Sequence, residues 1–323
     1  MKKFDVIKLI LAECIHYRPR ENFIAEAFAP SNIALCKYWG KRNIELNLPV
    51  TSSLSISLKN LGSTIKLSIN PEQDQILLND KSVDFQTEFA SRFVSFINLF
   101  RAQNDWYFTA EIESTIPIGA GLASSACGFA SLVKALDQLF DWQLDLRSLS
   151  ILARLGSGSA SRSLWDGFVE WHAGEREDGM DSYAEALPYE WPELCVELLI
   201  LNSNKKIISS RDAMNRTVET SSLYKDWPQK VADDLPLIRQ AIQEKNFELL
   251  GRAAESNAIA MHATMFAASP SISYSLPETN EAMHKIWQLR AEGLPVFFTQ
   301  DAGPNLKLLF LKSDVDAVKK IFW

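Results

Sequence analysis

A polar, glycine-containing loop at residues 114–125 runs straight into an apolar stretch of helical length at 126–139, and this junction constrains the fold more than any other segment. A helix entered from such a loop presents unpaired backbone N–H groups and a positive dipole end. In Pro117-Ile-Gly-Ala-Gly-Leu-Ala-Ser-Ser-Ala126, two glycines let the backbone approach a ligand closely and two serines stand at the helix start. That is a ready anion site. The plainer reading is a loop with serine caps, and the loop alone does not decide between them, because glycine-rich loops match many patterns. It lacks the Gly-Lys-Ser/Thr of a Walker A loop and the spacing of a Rossmann turn.

Around the junction the pattern changes along the chain. Leu54, Ile56 and Leu58 alternate with polar residues, as do Ile65, Leu67 and Ile69, which predicts strands. Asn79-Asp80 predicts a hairpin turn. Phe89, Phe93, Phe96 and Phe100 have helical spacing, and 107–112 returns to strand. A second helix is expected at 146–155, with strands at 168–171 and 195–201. Beyond these the chain reads as helices at 228–243, 247–267 and 278–291, strands at 296–299 and 306–311, and a last helix. Strand-rich first and helix-rich later predicts an α+β fold in two lobes. We expect an N-terminal extension at 1–20 with one helix, a first domain at 21–201 and a second at 202–323.

The formal charge of −7 argues against a general nucleic-acid binder but not against a local basic pocket. Cys14, Cys36, Cys127 and Cys195 form no close pair, so free thiols in a reducing compartment are expected. The four histidines are scattered, which disfavours a histidine metal site. Lys8 breaks the first apolar run, and Glu13 and His16 stand where a signal peptide would carry small residues. The start therefore reads as a cytoplasmic extension. No apolar run reaches membrane-spanning length.

Four segments together carry a family resemblance. The 117–126 loop resembles the phosphate loop of the GHMP kinases. Ala29-Pro-Ser-Asn-Ile-Ala-Leu-Cys-Lys-Tyr-Trp-Gly-Lys-Arg42, Gly156-Ser-Gly-Ser-Ala-Ser-Arg-Ser163 with Gly167-Phe-Val-Glu-Trp171, and Asp301-Ala-Gly-Pro-Asn305 resemble the three signatures of the diphosphomevalonate decarboxylases. Ser209-Ser-Arg-Asp-Ala-Met214 and His262-Ala-Thr264 match more weakly. The matches keep the family's order from Ala29 to Asn305, and residues 1–20 fall outside them. Trp165-Asp166 departs from the aromatic-glycine pair expected there.

The resemblance implies a two-lobed GHMP-kinase-like fold and an ATP-dependent carboxy-lyase of isoprenoid biosynthesis. Such an enzyme converts 5-diphosphomevalonate and ATP, with magnesium, into isopentenyl diphosphate, ADP, phosphate and carbon dioxide. It also implies a cytoplasmic homodimer. Chemically, carbon dioxide can leave only if its electron pair has somewhere to go. Phosphorylating the tertiary hydroxyl turns a poor leaving group into a good one. The site must then hold a diphosphate, a triphosphate and a carboxylate together, so cations and N–H groups must offset their repulsion.

By resemblance, Tyr38, Lys41, Ser157, Ser159, Ser210 and Arg211 bind the substrate's diphosphate end and Met214 lines the pocket. Arg162 clamps the carboxylate and orients Asp301, which faces the tertiary hydroxyl beside Lys37. Gly119, Gly121, Leu122, Ala123, Ser124 and Ser125 hold ATP phosphates, with Lys206 and Lys205 nearby. The metal's ligands are left unassigned. Each residue also has a plainer role. Lys37 and Lys41 would be a solvated face, Trp39 packing, and the 157–161 serines a tight turn. His262 would be a satisfied core histidine and Asp301 a turn-stabilising Asx residue. Mevalonate 3-kinases and phosphomevalonate decarboxylases share the scaffold, and a catalytically inactive binding protein on the same fold is a further alternative.

Overall fold

The computed structural model describes residues 1–12, 18–101, 106–116, 124–204 and 208–323. A first helix, α1 (Lys3–Leu11), precedes strand β1 (Ala25–Cys36), the small hairpin β2 (Lys41–Asn43) and β3 (Leu48–Pro49), and the long strand β4 (Ser53–Asn70). Next come β5 (Gln75–Leu78), β6 (Lys81–Ser82), α2 (Glu88–Ile97), β7 (Tyr107–Ser114), α3 (Ser124–Phe140) and α4 (Leu146–Gly156). A 3₁₀ turn, Gly158–Arg162, leads to β8 (Phe168–Trp171), β9 (Ala184–Ala186) and β10 (Leu194–Leu199). The chain closes with α5 (Ser210–Thr220), α6 (Trp227–Glu244), α7 (Phe247–Phe266), α8 (Pro277–Ala291), β11 (Phe297–Gln300), β12 (Leu306–Leu311) and α9 (Val315–Phe322).

Two sheets organise these elements. One runs β6-β5-β7-β4-β8-β9 with β1 also paired to β4, and the other runs β10-β12-β11. The Asn79-Asp80 turn forms as expected, with both residues at positive φ (48° and 63°), the geometry of a tight hairpin. The two alternating runs of the sequence belong to one strand. β4 pairs with β8 through Ser53–Ile56 and with β7 through Ser63–Asn70, while β1 spans both halves. Pro30 faces Gly62 but Asn32 faces Ser57, so the β4 residues between them are thrown out as a bulge. Lys59 sits in that bulge at φ 42°. The bulge explains why the strand reads as two.

β10 precedes the expected domain boundary at residue 201, yet its hydrogen bonds run to β12. A cut after 201 would therefore separate it from its sheet. The apolar core of the first sheet collects α2, α3, α4 and also Val6, Ile7 and Leu11 of α1. A second core joins Leu35, Trp39 and Leu54 to α6, α7 and β11, so the inner ends of β1 and β4 pack on both halves of the chain. No helix among the described residues is long and apolar enough to cross a membrane.

Two glycines should respond oppositely to alanine. A Cβ on Gly62 would lie 2.2 Å from the Ala29 carbonyl oxygen, a backbone atom held by the ladder, whereas one on Gly128 in α3 meets nothing within 4 Å. Gly62→Ala should destabilise by about 1–3 kcal/mol, and Gly128→Ala should stabilise by up to about 1 kcal/mol. Urea unfolding checks both. A neutral Gly62→Ala would contradict the bulge geometry.

Candidate active site

Asp301 follows the last residue of β11, in a turn made by Ala302, Gly303 and Pro304. The turn is fixed by its neighbours. The Gly303 N–H donates to the Asp301 carbonyl at 2.7 Å, Gln300 Nε2 donates to the Gly303 carbonyl at 2.9 Å, and Asn305 Oδ1 accepts from the N–H groups of Leu201 and Asn202 at 2.8 and 2.9 Å. The Asp301 carboxylate is therefore spared from turn stabilisation. Its Oδ1 accepts from Lys37 Nζ at 2.7 Å, and its Oδ2 lies 3.2 Å from Lys307 Nζ.

Both lysines are buried, at 1% and 0% exposure. Lys37 ends the approach from β1. Its Nζ also donates to the Ala34 carbonyl at 2.8 Å, and its backbone N–H donates to Asn257 Oδ1 at 2.8 Å. Burial pushes the Lys37 pKa down, and the Asp301 charge opposes that push. For Asp301 burial alone would raise the pKa, but the charges and hydrogen bonds of Lys307 and Lys37 outweigh it. The carboxyl ends well below the usual carboxylate range. It is an anion at working pH and a weak ground-state base.

Arg162 is 2% exposed, in the 3₁₀ turn. Its guanidinium donates to Asn32 Oδ1 at 3.3 and 3.4 Å, to Ser55 Oγ at 3.1 Å, and to Ser53 Oγ. All of these partners are neutral. Arg162 makes no ion pair with Asp301, whose oxygens meet Lys37 and Lys307, so any orienting of Asp301 by Arg162 would act without direct contact. Burial lowers the Arg162 pKa to about 10, so the group stays charged, and among the described residues it has no carboxylate partner within 4.0 Å. A buried cation with only neutral donors and acceptors around it is suited to an incoming anion.

Hydroxyls line the same region. Ser125 Oγ, in the first turn of α3, lies 3.3 Å from Ser157 Oγ, which lies 3.4 Å from Ser159 Oγ. The helix start thus meets the serine turn at side-chain level. Ser161, the third alternating serine, instead donates to the Gly158 carbonyl at 2.7 Å and is structural. The Tyr38 ring packs edge-on against Trp171 at 4.8 Å, and its buried hydroxyl has no hydrogen-bond partner among the described residues. An orphan donor of this kind is what a ligand oxygen satisfies. Lys41 Nζ donates to Asn47 Oδ1 at 2.7 Å, and burial lowers its pKa to about 8. Ser210 and Arg211 open α5, and Met214 is buried one turn on.

Trp39 is packing, as expected, at 2% exposure. His262 is more than core filler: its Nε2 lies 3.2 Å from the Asp301 carbonyl oxygen, and burial lowers its pKa to about 4, so it is neutral. Gly119, Gly121, Leu122, Ala123, Lys205 and Lys206 lie outside the described residues, as does the side chain of Ser124. Sequence reasoning missed Lys307 and Asn257. Lys307 carried a signal, a single charge inside the apolar run Leu306-Lys-Leu-Leu-Phe-Leu311. Asn257 carried none, being one polar residue of a long helix.

This fold, with a cation-lined site where both halves of the chain meet, is that of a GHMP-kinase-like α+β protein. The family model for a diphosphomevalonate decarboxylase-like N-terminal domain matches residues 29–184, and that for a mevalonate 5-diphosphate decarboxylase C-terminal domain matches 196–322. The chain belongs to the diphosphomevalonate decarboxylase family. The curated diphosphomevalonate decarboxylase of Aspergillus fumigatus is 37% identical over 93% of this chain and 80% of its own length. A solved complex with MVAPP, AMPPCP and magnesium is 40% identical, with a TM-score of 0.84 over 92% of this chain and 91% of the other. A mevalonate diphosphate decarboxylase structure from Enterococcus faecalis is 39% identical, with a TM-score of 0.83 over the same shares.

Lys307 gives the site a testable acid limb. In Lys307→Met one of the two cations holding Asp301 ionised is gone, so its pKa rises. Protonation then removes the carboxylate at a higher pH than in wild type. The acid limb of kcat should move up by about one pH unit or more, each unit representing about 1.4 kcal/mol of lost charge stabilisation. A pH–rate profile measures it, and coincident acid limbs would show that Lys307 does not set the state of Asp301.

Proposed function

We propose that this chain catalyses the ATP-dependent decarboxylation of (R)-5-diphosphomevalonate to isopentenyl diphosphate, through phosphorylation of the tertiary hydroxyl. The observation that carries this reading is an ionised carboxylate locked between Lys37 and Lys307, with a buried Arg162 that has no carboxylate partner among the described residues. A kinase needs the first feature. The second suits a substrate that brings its own carboxylate.

In this reading Asp301 accepts a hydrogen bond from the tertiary hydroxyl and directs its oxygen at the γ-phosphorus of ATP. Being a weak base, it takes the proton only as the oxygen–phosphorus bond forms and the bond to ADP breaks. Lys37 holds the carboxylate in place and offsets charge on the transferring group. Arg162 grips the substrate carboxylate through its planar fork. When the tertiary carbon–oxygen bond breaks, phosphate leaves with that electron pair. The pair from the breaking carbon–carboxylate bond forms the alkene, and carbon dioxide departs.

Tyr38, Lys41, Ser157, Ser159, Ser210 and Arg211 take the diphosphate end, with Met214 as an apolar wall. By the resemblance, Gly119, Gly121, Leu122, Ala123, Ser124, Ser125 and Lys206 take the ATP phosphates. Among the described residues no group of three or more acidic, histidine or cysteine side chains is placed to hold a metal. Magnesium, when bound with ATP, would offset the charge of the phosphates. We assign the protein to the cytoplasm on the resemblance, supported by free thiols at Cys36 and Cys195, and propose a homodimer on the resemblance alone.

Asp301→Asn tests the assignment. It keeps size and hydrogen-bonding shape but removes the charge. Substrate binding should survive, and phosphoryl transfer should slow by roughly 10²–10⁴-fold. Single-turnover experiments should show ADP and carbon dioxide falling in parallel. If ADP forms at the normal rate while carbon dioxide stops, Asp301 acts after phosphorylation and this role is wrong.

A further inference from the structure

Residues 1–20 lie outside the family match, yet their helix is built into the molecule. Val6, Ile7 and Leu11 of α1 are 0%, 3% and 7% exposed and share a core with Leu46 and Leu48. The helix packs on α4, whose last residue, Gly156, precedes Ser157. Its first turn is also tied to the hairpin that carries Lys41. The Lys3 backbone N–H donates to Glu45 Oε1 at 3.4 Å, and two residues on, Asn47 Oδ1 holds Lys41 Nζ at 2.7 Å.

Lys3 of α1, beside the hairpin of Lys41, is one of four cations from four elements whose charges act on one another, with Lys41 of β2, Arg92 of α2 and Arg211 of α5. The Arg92 guanidinium sits over the Phe129 ring of α3 at 5.6 Å. Among the described residues none of the four makes an ion pair with a carboxylate within 4.0 Å. They feel one another. Burial lowers the Lys3 pKa, Glu45 opposes it, and Arg211 and Arg92 lower it further. After burial, Arg211, Lys3 and Arg92 all lower Lys41, and after burial Arg211 lowers Arg92. Lys3, Lys41 and Arg92 are half-buried and Arg211 is exposed; like charges gathered this way are unfavourable until a multivalent anion joins them.

We propose that Lys3 is a substrate-binding residue, which with Lys41, Arg92 and Arg211 receives the terminal phosphate of the diphosphate and favours it over a monophosphate. This rests on the decarboxylase reading for the identity of the substrate, and on the cation cluster for the site. The N-terminal helix is then part of the pocket wall. A monophosphate brings fewer charges to the same four cations and leaves their repulsion less relieved.

Steady-state kinetics and calorimetric binding of inorganic pyrophosphate test it on Lys3→Gln, Lys3→Arg and Lys8→Gln. Lys8 is an exposed cation of the same helix, stacked on Phe4 at 4.5 Å, and controls for net charge. Lys3→Gln should raise KM for 5-diphosphomevalonate about ten-fold with kcat little changed, the scale of one charge-assisted contact. Pyrophosphate affinity should fall by the same factor. Lys3→Arg should restore most of both, and Lys8→Gln should match wild type. An unchanged KM and pyrophosphate affinity in Lys3→Gln, or an equal loss in Lys8→Gln, overturns the proposal. If wild type binds pyrophosphate but releases no carbon dioxide, the decarboxylase reading fails and the pyrophosphate comparison still decides on Lys3.

Discussion

One carboxylate held by two buried ammonium groups ties the molecule together. Lys37 arrives from β1, near the start of the chain, while Asp301 and Lys307 arrive from the C-terminal sheet. Burying three charges costs several kcal/mol per ion before their attraction is counted. The arrangement is thus poor evidence of stability and good evidence of a fixed geometry. Helix α7 provides much of the fixing. Asn257 accepts from the Lys37 N–H, His262 meets the Asp301 carbonyl, and Glu255 accepts from the Phe298 N–H at 3.3 Å while held by Arg290 at 2.9 Å. One helix thereby sets the positions of Lys37, of β11 and of the turn that carries Asp301.

The site was legible in the sequence where its chemistry is local. Asp301 at a strand end before Gly-Pro, the serine turn and the Lys-Tyr-Trp-Gly-Lys run each announce themselves by composition. Groups that act from a distance were not legible. Lys307 sits in an apolar strand, and only the fold turns its ammonium group onto Asp301. Lys3 and Arg92 belong to helices with no motif, and only the fold lets their charges act on Lys41. Arg162 makes no ion pair with Asp301, because its guanidinium is held by Asn32, Ser53 and Ser55 while Lys37 and Lys307 meet the carboxylate.

The fold shows the same division. Helices with long apolar stripes, such as α3, α6 and α7, follow from periodicity, as does the hairpin at Asn79-Asp80. Pairing across distance does not. The joining of two alternating runs into β4 depends on β1 bridging a bulge, and the membership of β10 depends on β12, more than a hundred residues later. Helix α5 was read as a motif and not as a helix, because its Ser-Arg-Asp start carries cap chemistry and little apolar pattern.

A chain of net charge −7 holds cations with no carboxylate partner among the described residues where, in the proposed reaction, a diphosphate and a carboxylate meet ATP. In that reaction phosphorylation and decarboxylation are coupled on the 5-diphosphate. The most direct measurement offers purified protein ATP, magnesium and, separately, mevalonate, its 5-phosphate and its 5-diphosphate, and follows ADP and carbon dioxide together. Equal amounts of both products are expected, with the 5-diphosphate strongly preferred. ADP without carbon dioxide, or equal efficiency on the 5-phosphate, would contradict the coupling.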